Sequence, residues 1–210
     1  MKRVVDLKVL YFGTPVVLVS SLNPDGTTNI APISSAWWLG QTAVLGMAST
    51  SQTVRNLEQR PECVINMVDP SMVAAVDRIA LLTGRRDFPE YKAAKGYRFE
   101  PDKFAAAGLT PSPSDLVAPH AVAESPISME GRVEGMSAVG GSESNARAIE
   151  VSVLRTHVDQ GLLVTGSDHH IDPLRWDPLM MKFTEFFAGA EPAYPSSLAR
   201  GWGMPPLRVA

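Results

Sequence analysis

Cysteine is almost missing from this chain: Cys63 is the only one in 210 residues. An intramolecular disulfide is thereby excluded, which agrees with a reducing cytoplasm. Its place in the apolar run C-V-I-N makes Cys63 a small buried hydrophobe rather than a nucleophile. An excess of charge is missing too. Lys and Arg number 19 against 22 Asp and Glu, for a net charge of -3, and with no basic stripe the chain lacks the surface that a nucleic acid requires. No apolar run approaches a membrane span. Met1-Lys2-Arg3 is basic, but Asp6 and Lys8 break the adjoining stretch before it reaches signal-peptide length. We therefore expect a soluble, cytoplasmic protein with neither nucleic acid nor membrane as partner. A dinucleotide or P-loop fingerprint is also lacking, because Gly140-Gly141-Ser142-Glu143-Ser144-Asn145 has neither the G-x-G-x-x-G nor the G-K-S spacing. What remains is a globular balance, 45% hydrophobic and 20% charged, enough for one domain with a full core and an insert.

The stretch from Asn29 to Asn66 organises the rest. Thr42 to Ala48 is short, apolar and partly β-branched, Ser49 to Arg60 has helix chemistry, and Glu62 to Val68 is apolar and β-branched again, so a strand-helix-strand unit is expected. Ser49 and Gln52 have the S-x-x-Q spacing of a capping box and Ser51 is a second cap, which places the helix start within Ser49 to Gln52. The first N-H groups of that helix lack intrahelical partners and lie among the hydroxyls of Ser49, Thr50, Ser51 and Thr53. Such a turn suits an anion, a phosphate above all. Val54 and Leu57 should pack inward, leaving Arg55 and Asn56 toward ligand or water. Upstream, N-I-A-P-I-S-S-A-W-W (29–38) combines small polar residues with two tryptophans. It suits a backbone that approaches a flat ring and bonds its edge; equally, it reads as a strand leaving a hairpin, with Trp37 in the core and Trp38 at an interface.

Elsewhere the chain reads as strands punctuated by turns. V-V-L-V-S-S (16–21) is a buried strand, and Asn23-Pro24-Asp25-Gly26 turns it back through Thr27 to Pro32. Asp69-Pro70-Ser71 opens a second helix that stops by Gly84, and Arg85 and Arg86 follow as dipole partners or phosphate ligands. Short helices are expected at Tyr91 to Tyr97 and Asp102 to Ala107, with extended chain through T-P-S-P-S and Pro119. Ile127, Met129 and Val133 are inward candidates of one strand, and Ile149, Val151 and Val153 of another, returning after Asp159-Gln160-Gly161 through Leu162 to Thr165. In S-D-H-H-I-D-P (167–173), Asp168, His169, His170 and Asp172 could be metal ligands, but adjacent histidines point apart and a hydrogen-bonded turn explains them better. Asp177-Pro178 is expected to begin a final helix with an aromatic stripe at Phe183, Phe186 and Phe187. A Pro/Gly-rich arm follows at 189–210.

The pattern P-V-V-L-V-S-S-L-N-P-D-G-T-T-N-I-A-P-I-S-S, then S-x-T-x-x-N-L, then C-V-I-N, resembles the flavin reductase-like proteins, and so do A-V-A-E-S-P-I-S-M-E-G-R-V-E (121–134) and E-V-S-V-L-R-T-H-V-D-Q-G-L-L-V (150–164). The resemblance implies a mainly β chain with helices (α+β), an antiparallel FMN-binding split β-barrel over 1–188 with a helical insert at about 71–119 and a C-terminal helix. It implies an FMN-binding flavoprotein in which hydride passes from NADH or NADPH to flavin N5. FMN would be held by Asn29, Ser34, Ser35, Ala36 and Trp37 around the ring and by Ser49, Ser51, Gln52 and Thr53 around the phosphate. Asn56 would fasten the helix or reach the ribityl chain. The flavin carries the redox chemistry, so no catalytic side chain is assigned. A homodimer with FMN near the subunit interface and a flavin-dependent monooxygenase as partner are implied as well. Two other classes stay open: a non-catalytic FMN carrier or electron-transfer protein, and a metal or haem protein built on residues 168–172. The family's double proline after the N-x-A-P-x-S segment is replaced here by Gly40-Gln41-Thr42, and Phe183 or Phe187 stands where a tyrosine often does.

Overall fold

The computed structural model describes residues 1–141, 144–189, 191–193, 196, 199 and 204. β1 (Thr14–Pro15) and β2 (Val17–Leu22) lead into the Asn-Pro-Asp-Gly turn, and β3 (Thr28–Ile33) leaves it antiparallel to β2. Asp25 holds the turn by accepting from the N-H and hydroxyl of Thr27 at 3.0 and 2.7 Å, while Gly26 takes a φ of +87° that only glycine adopts freely. β4 (Ala36–Leu39) and β5 (Thr42–Ala48) form the next hairpin, and α1 (Gln52–Gln59) carries the chain to β6 (Glu62–Met67). A 3-10 turn at Pro70–Met72 opens α2 (Val73–Ala80). Next come β7 (Leu82–Thr83), α3 (Glu90–Ala94), β8 (Arg98–Phe99), α4 (Lys103–Ala107), β9 (Pro111–Ser112) and β10 (Ala121–Val122). The last strands among the described residues are β11 (Ile127–Val139), β12 (Ala146–Val158), β13 (Met180–Lys182) and β14 (Glu185–Phe187).

Seven strands form one antiparallel sheet in the order β3-β2-β6-β11-β12-β5-β4. The molecule is mainly β with few helices, and this curved sheet is the wall of the split barrel. Register shifts at Glu130/Gly131 and Val133/Gly135 bend the long β11-β12 ribbon. At Gly131 a Cβ would lie 2.5 Å from Val151 Cγ1, so the strands close up there only around a glycine. Alternation on β2 explains the burial of Val17 to Ser21. Val17 and Val19 enter the barrel core with Leu45, Ile65, Ile149 and Val151, while Leu18 faces the opposite way and joins Ile30, Val76, Ile79 and Phe104 under α2 and α4. Each such Val, Leu or Ile contributes about 1.5–3 kcal/mol by burial. Asn66 pins the second core: its Nδ2 donates to the Leu18 carbonyl and Ser20 Oγ, both at 3.0 Å, and its Oδ1 accepts from Val122 N at 2.9 Å and Ser128 Oγ at 3.0 Å.

Three expectations are corrected. No helix starts at Asp177-Pro178: β13 and β14 form a hairpin there. Leu179 N-H donates to Val68, Val16 N-H donates to the Leu179 carbonyl, and Phe183 N-H donates to Tyr11, so neighbouring segments take the backbone groups that a helix would have used itself. Phe183 and Thr184 make the two-residue turn at φ +46° and +73°, a conformation that their side chains do not advertise. The return through Leu162 to Thr165 is also absent. β12 instead pairs along its length with β11 and β5, and the chain leaves it through a 3-10 turn, Gln160–Leu162, capped by the Asp159 carboxylate. The tryptophans exchange places: Trp38 packs on the barrel core and Trp37 is 55% exposed. The proposed arm at 189–210 falls mostly outside the described residues.

Candidate functional site

A cavity of about 430 Å³ opens between the start of α1, the end of β3, β5 and the helical insert, within the range usual for small-molecule and cofactor sites. Its α1 wall is built by capping. Ser51 is the N-cap, its Oγ accepting from Val54 N at 3.2 Å, so the second of the two expected caps is the one used. Gln52 and Thr53 then stand in the first turn, where backbone N-H groups have no intrahelical partner, and no acidic side chain occupies that turn. Ser51, Gln52 and Thr53 all line the cavity. Ser34 and Ser35 line the cavity as well, Ser35 pressed against Gly46, where a Cβ would stand 2.8 Å from Ser35 Cβ.

The remaining sequence-derived residues lie at varying depth. Asn29, 2% exposed, donates from Nδ2 to Thr53 Oγ1 at 3.1 Å, and its Oδ1 is buried without a partner among the described residues. Gly84, which lines the cavity, sits so close that a Cβ there would be 2.6 Å from that Oδ1. Asn29 does not itself line the cavity; its orphaned acceptor abuts Gly84, which does, and a donor reaching past that glycine would satisfy it. Ala36 is buried in the barrel core and Trp37 faces outward from β4; neither lines the cavity wall. Ser49 gives its hydroxyl to Asn145 Oδ1 at 2.5 Å. Asn56 is 1% exposed and fastens the helix: it donates to Ser21 Oγ at 3.0 Å and Asn23 Oδ1 at 2.9 Å, and accepts from Gln52 Nε2 at 2.8 Å. Arg55, by contrast, reaches Asp87 at 3.5 Å near solvent.

Two lysines that the sequence did not single out share the cavity wall, Lys92 and Lys103. Lys103 is 4% exposed; its ammonium donates to the Ile30 carbonyl at 3.0 Å and has no ion pair among the described residues. Burial, with the nearby charge of Lys92, pushes its pKa down to about 8. The signal was present: Lys103 and Ala107 are four apart on one helix, and Phe104 and Ala107 are core residues, so the lysine had to share a buried face. The site thus joins a helix start, serine hydroxyls, an orphan acceptor and an uncompensated buried cation. These fit a ligand with an anionic group and polar ring edges, as FMN has.

The H-H-I-D segment is a turn in which Ser167 Oγ meets His170 Nδ1 at 2.9 Å and takes the His169 N-H at 3.2 Å. Potential metal ligands among the described residues gather instead at Asp115, Glu130 and His157. There Glu130, 1% exposed, accepts from Asp115 N, Leu116 N and His157 Nε2 at 3.0, 2.6 and 2.6 Å, and Asp115 is paired with Arg155 at 2.7 Å. Burial raises the Glu130 pKa, but these donors outweigh it and hold the carboxyl below its usual range. Both Glu130 oxygens and Asp115 Oδ2 are occupied by protein donors, so the cluster fastens the 114–119 loop to the sheet. Among the described residues no helix is long and apolar enough to cross a membrane.

Comparison with known proteins matches this architecture. The Bacillus subtilis (strain 168) protein YdfE is 36% identical over 180 residues, 86% of each chain. The flavoredoxin of Desulfovibrio vulgaris (Miyazaki F) superposes with a TM-score of 0.77 at 20% identity, covering 96% of this chain and 100% of its own. The nitrilotriacetate monooxygenase component B of Bacillus cereus gives 0.70 at 23% identity, covering 87% of each. The sequence model of the flavin reductase like domain matches residues 9–183, and the chain belongs to that family.

Proposed function

We propose that this protein binds FMN in the cavity and is an NAD(P)H-dependent flavin reductase. The observation that carries the reading is Lys103: a buried ammonium with a single neutral acceptor, lining the same cavity as the Ser51-capped start of α1. A cation in such surroundings is costly unless an anion joins it. The first-turn N-H groups of α1 and the hydroxyls of Ser51 and Thr53 receive the phosphate. Ser34, Ser35 and Asn29 bond the polar ring edges and ribityl hydroxyls, the orphan Asn29 Oδ1 accepting one of them. Lys103 places positive charge beside the ligand and favours its reduced, more anionic form. When bound, FMN supplies acceptance of hydride at N5 and its onward transfer; the side chains bind, orient and exclude water.

The test is the visible spectrum after adding FMN and desalting, followed by anaerobic NADH and then NADPH. A retained band that bleaches quickly establishes the reductase and names its donor. A retained band that does not bleach makes the protein a carrier. No retained band, with no turnover of free FMN, rejects the reading.

The protein is further proposed to be a homodimer serving a flavin-dependent monooxygenase. Support for the dimer is the run of exposed apolar side chains at Val4, Leu10 and Phe12, together with Trp37 and Leu39, 55% and 75% exposed, on the edge strand β4 that continues from Ser35. Sedimentation as a monomer at micromolar concentration would reject it. Support for the monooxygenase is the fold shared with a monooxygenase component, and transfer of reduced flavin to such an enzyme is the corresponding assay.

A further inference from the structure

Helix α3 buries none of its residues. The segment around it is fastened by polar contacts that reach the turn before α1, Arg55 of α1 itself and Asn145. Arg85 donates from Nη1 to the Thr50 carbonyl at 3.0 Å and grips Asp87 from Nε and Nη2, both at 3.1 Å, while Arg55 of α1 reaches the same Asp87 at 3.5 Å. Tyr91 Oη lies 3.2 Å from Thr50 Oγ1 and accepts from Asn145 Nδ2 at 3.1 Å. Asn145 also accepts from Ser49, by Oδ1 from the hydroxyl and by its carbonyl from the N-H at 2.9 Å. One phenol oxygen therefore joins the insert, the β11-β12 turn and the start of α1. Lys92, next to it, lines the cavity together with Tyr97, over whose ring its ammonium lies at 5.4 Å, and has no ion pair among the described residues. Gly96, at φ +84°, stands near the end of the segment, a position where the backbone can swing.

We propose that Arg85 to Tyr97 is a cover over the cavity, that Tyr91 is its latch, and that Lys92 is the cover's own contact with the phosphate of the bound flavin. The proposal rests on the FMN reading above and extends it from where the ligand sits to how long it stays. A segment in which no residue is fully buried, only Phe88, Pro89 and Tyr97 being half-buried apolar ones, and which is held mainly by hydrogen bonds near the surface, opens more cheaply than the barrel unfolds. Release of the ligand must pass through that opening, so weakening the latch acts on the off-rate.

Stopped-flow dissociation of FMN and of riboflavin from the full chain separates the parts. Tyr91→Phe keeps the ring and loses the hydroxyl; it should raise the off-rates of both flavins by about tenfold, the effect of one or two lost hydrogen bonds, and Asn145→Ala should do the same. Lys92→Met should accelerate FMN and leave riboflavin, which has no phosphate, unchanged. Thermal midpoints should stay near that of the wild type in all three. Off-rates unchanged in both Tyr91→Phe and Asn145→Ala, in a protein that retains FMN, overturn the latch alone. Equal acceleration of both flavins by Lys92→Met overturns the phosphate contact. A wild-type chain that binds neither flavin overturns the FMN reading, and the cover with it.

Discussion

Helices α3 and α4 are five residues each, lie in the same insert and each bring a lysine to the same cavity, yet they are held by opposite means. α4 is built into the core. Asp102 caps it, Gly108 ends it at φ +67°, and Phe104 and Ala107 pack beneath α2. α3 begins at Pro89 without a side-chain cap and rests on hydrogen bonds at its rim. The lysines differ accordingly: Lys103 is 4% exposed and bonded to the Ile30 carbonyl, whereas Lys92, half-buried, lines the cavity with its ammonium over the Tyr97 ring. Length and composition do not decide whether a short helix is scaffold or cover; apolar anchoring does.

The largest effect that tests this contrast is Phe104→Ala, which should cost about 3–5 kcal/mol in urea unfolding, the usual penalty for emptying a buried aromatic site. Tyr91→Ala should cost less, about 1 kcal/mol, since it forfeits exposed hydrogen bonds and the Lys95 contact with a half-exposed ring. Similar losses from the two substitutions would remove the distinction between scaffold and cover.

A second test reads the buried cation by pH. Lys103 has a folded pKa of about 8 against an ordinary 10.5. Between those values the unfolded chain holds more protons than the folded one, so this group's contribution to the stability of the ligand-free chain rises with pH across that window. Anion binding runs the other way: it favours the protonated lysine, and above about pH 8 that proton must first be taken up. FMN affinity should therefore fall above pH 8, by up to about tenfold per pH unit, and Lys103→Met should flatten the profile. Fluorescence titrations from pH 6 to 10 measure both; an equally steep decline in Lys103→Met would assign the proton elsewhere.

The sequence was informative where local chemistry determines the backbone. The Asn-Pro-Asp-Gly turn, the Ser51 cap and the alternation of β5 and β6 each carry their own signal, and the strand-helix-strand unit formed where expected. It was uninformative where a distant segment decides. Residues 177–187 have helical aromatic spacing, but Val68, Val16 and Tyr11 draw them into strands, and the turn runs through two residues with ordinary side chains at positive φ. At the site, the capped first turn of α1 was legible from residue type, and Ser34 and Ser35, named through the family resemblance, line the same cavity. Asn56 was ambiguous, because an amide serves equally to bind a ligand or to tie a helix to Ser21 and Asn23. Lys103 was missed, since a lysine suggests solvent until Phe104 and Ala107 are seen to be core.

The smallest predicted effect separates the two helices at their first residues. Asp102 Oδ1 accepts from Ala105 N at 3.0 Å, a bond that Pro89 cannot offer to α3. Asp102→Ala should cost about 1 kcal/mol of stability. Because Lys103 is the first residue of the helix so capped, FMN affinity should fall with it, and Asp102→Asn, which preserves an accepting oxygen, should restore both. Pro89→Ala removes no cap and should leave stability within about 0.5 kcal/mol of the wild type. Loss of stability without loss of affinity in Asp102→Ala would mean that the packing of Phe104 and Ala107 alone positions the lysine. The cap would then serve the fold but not the site.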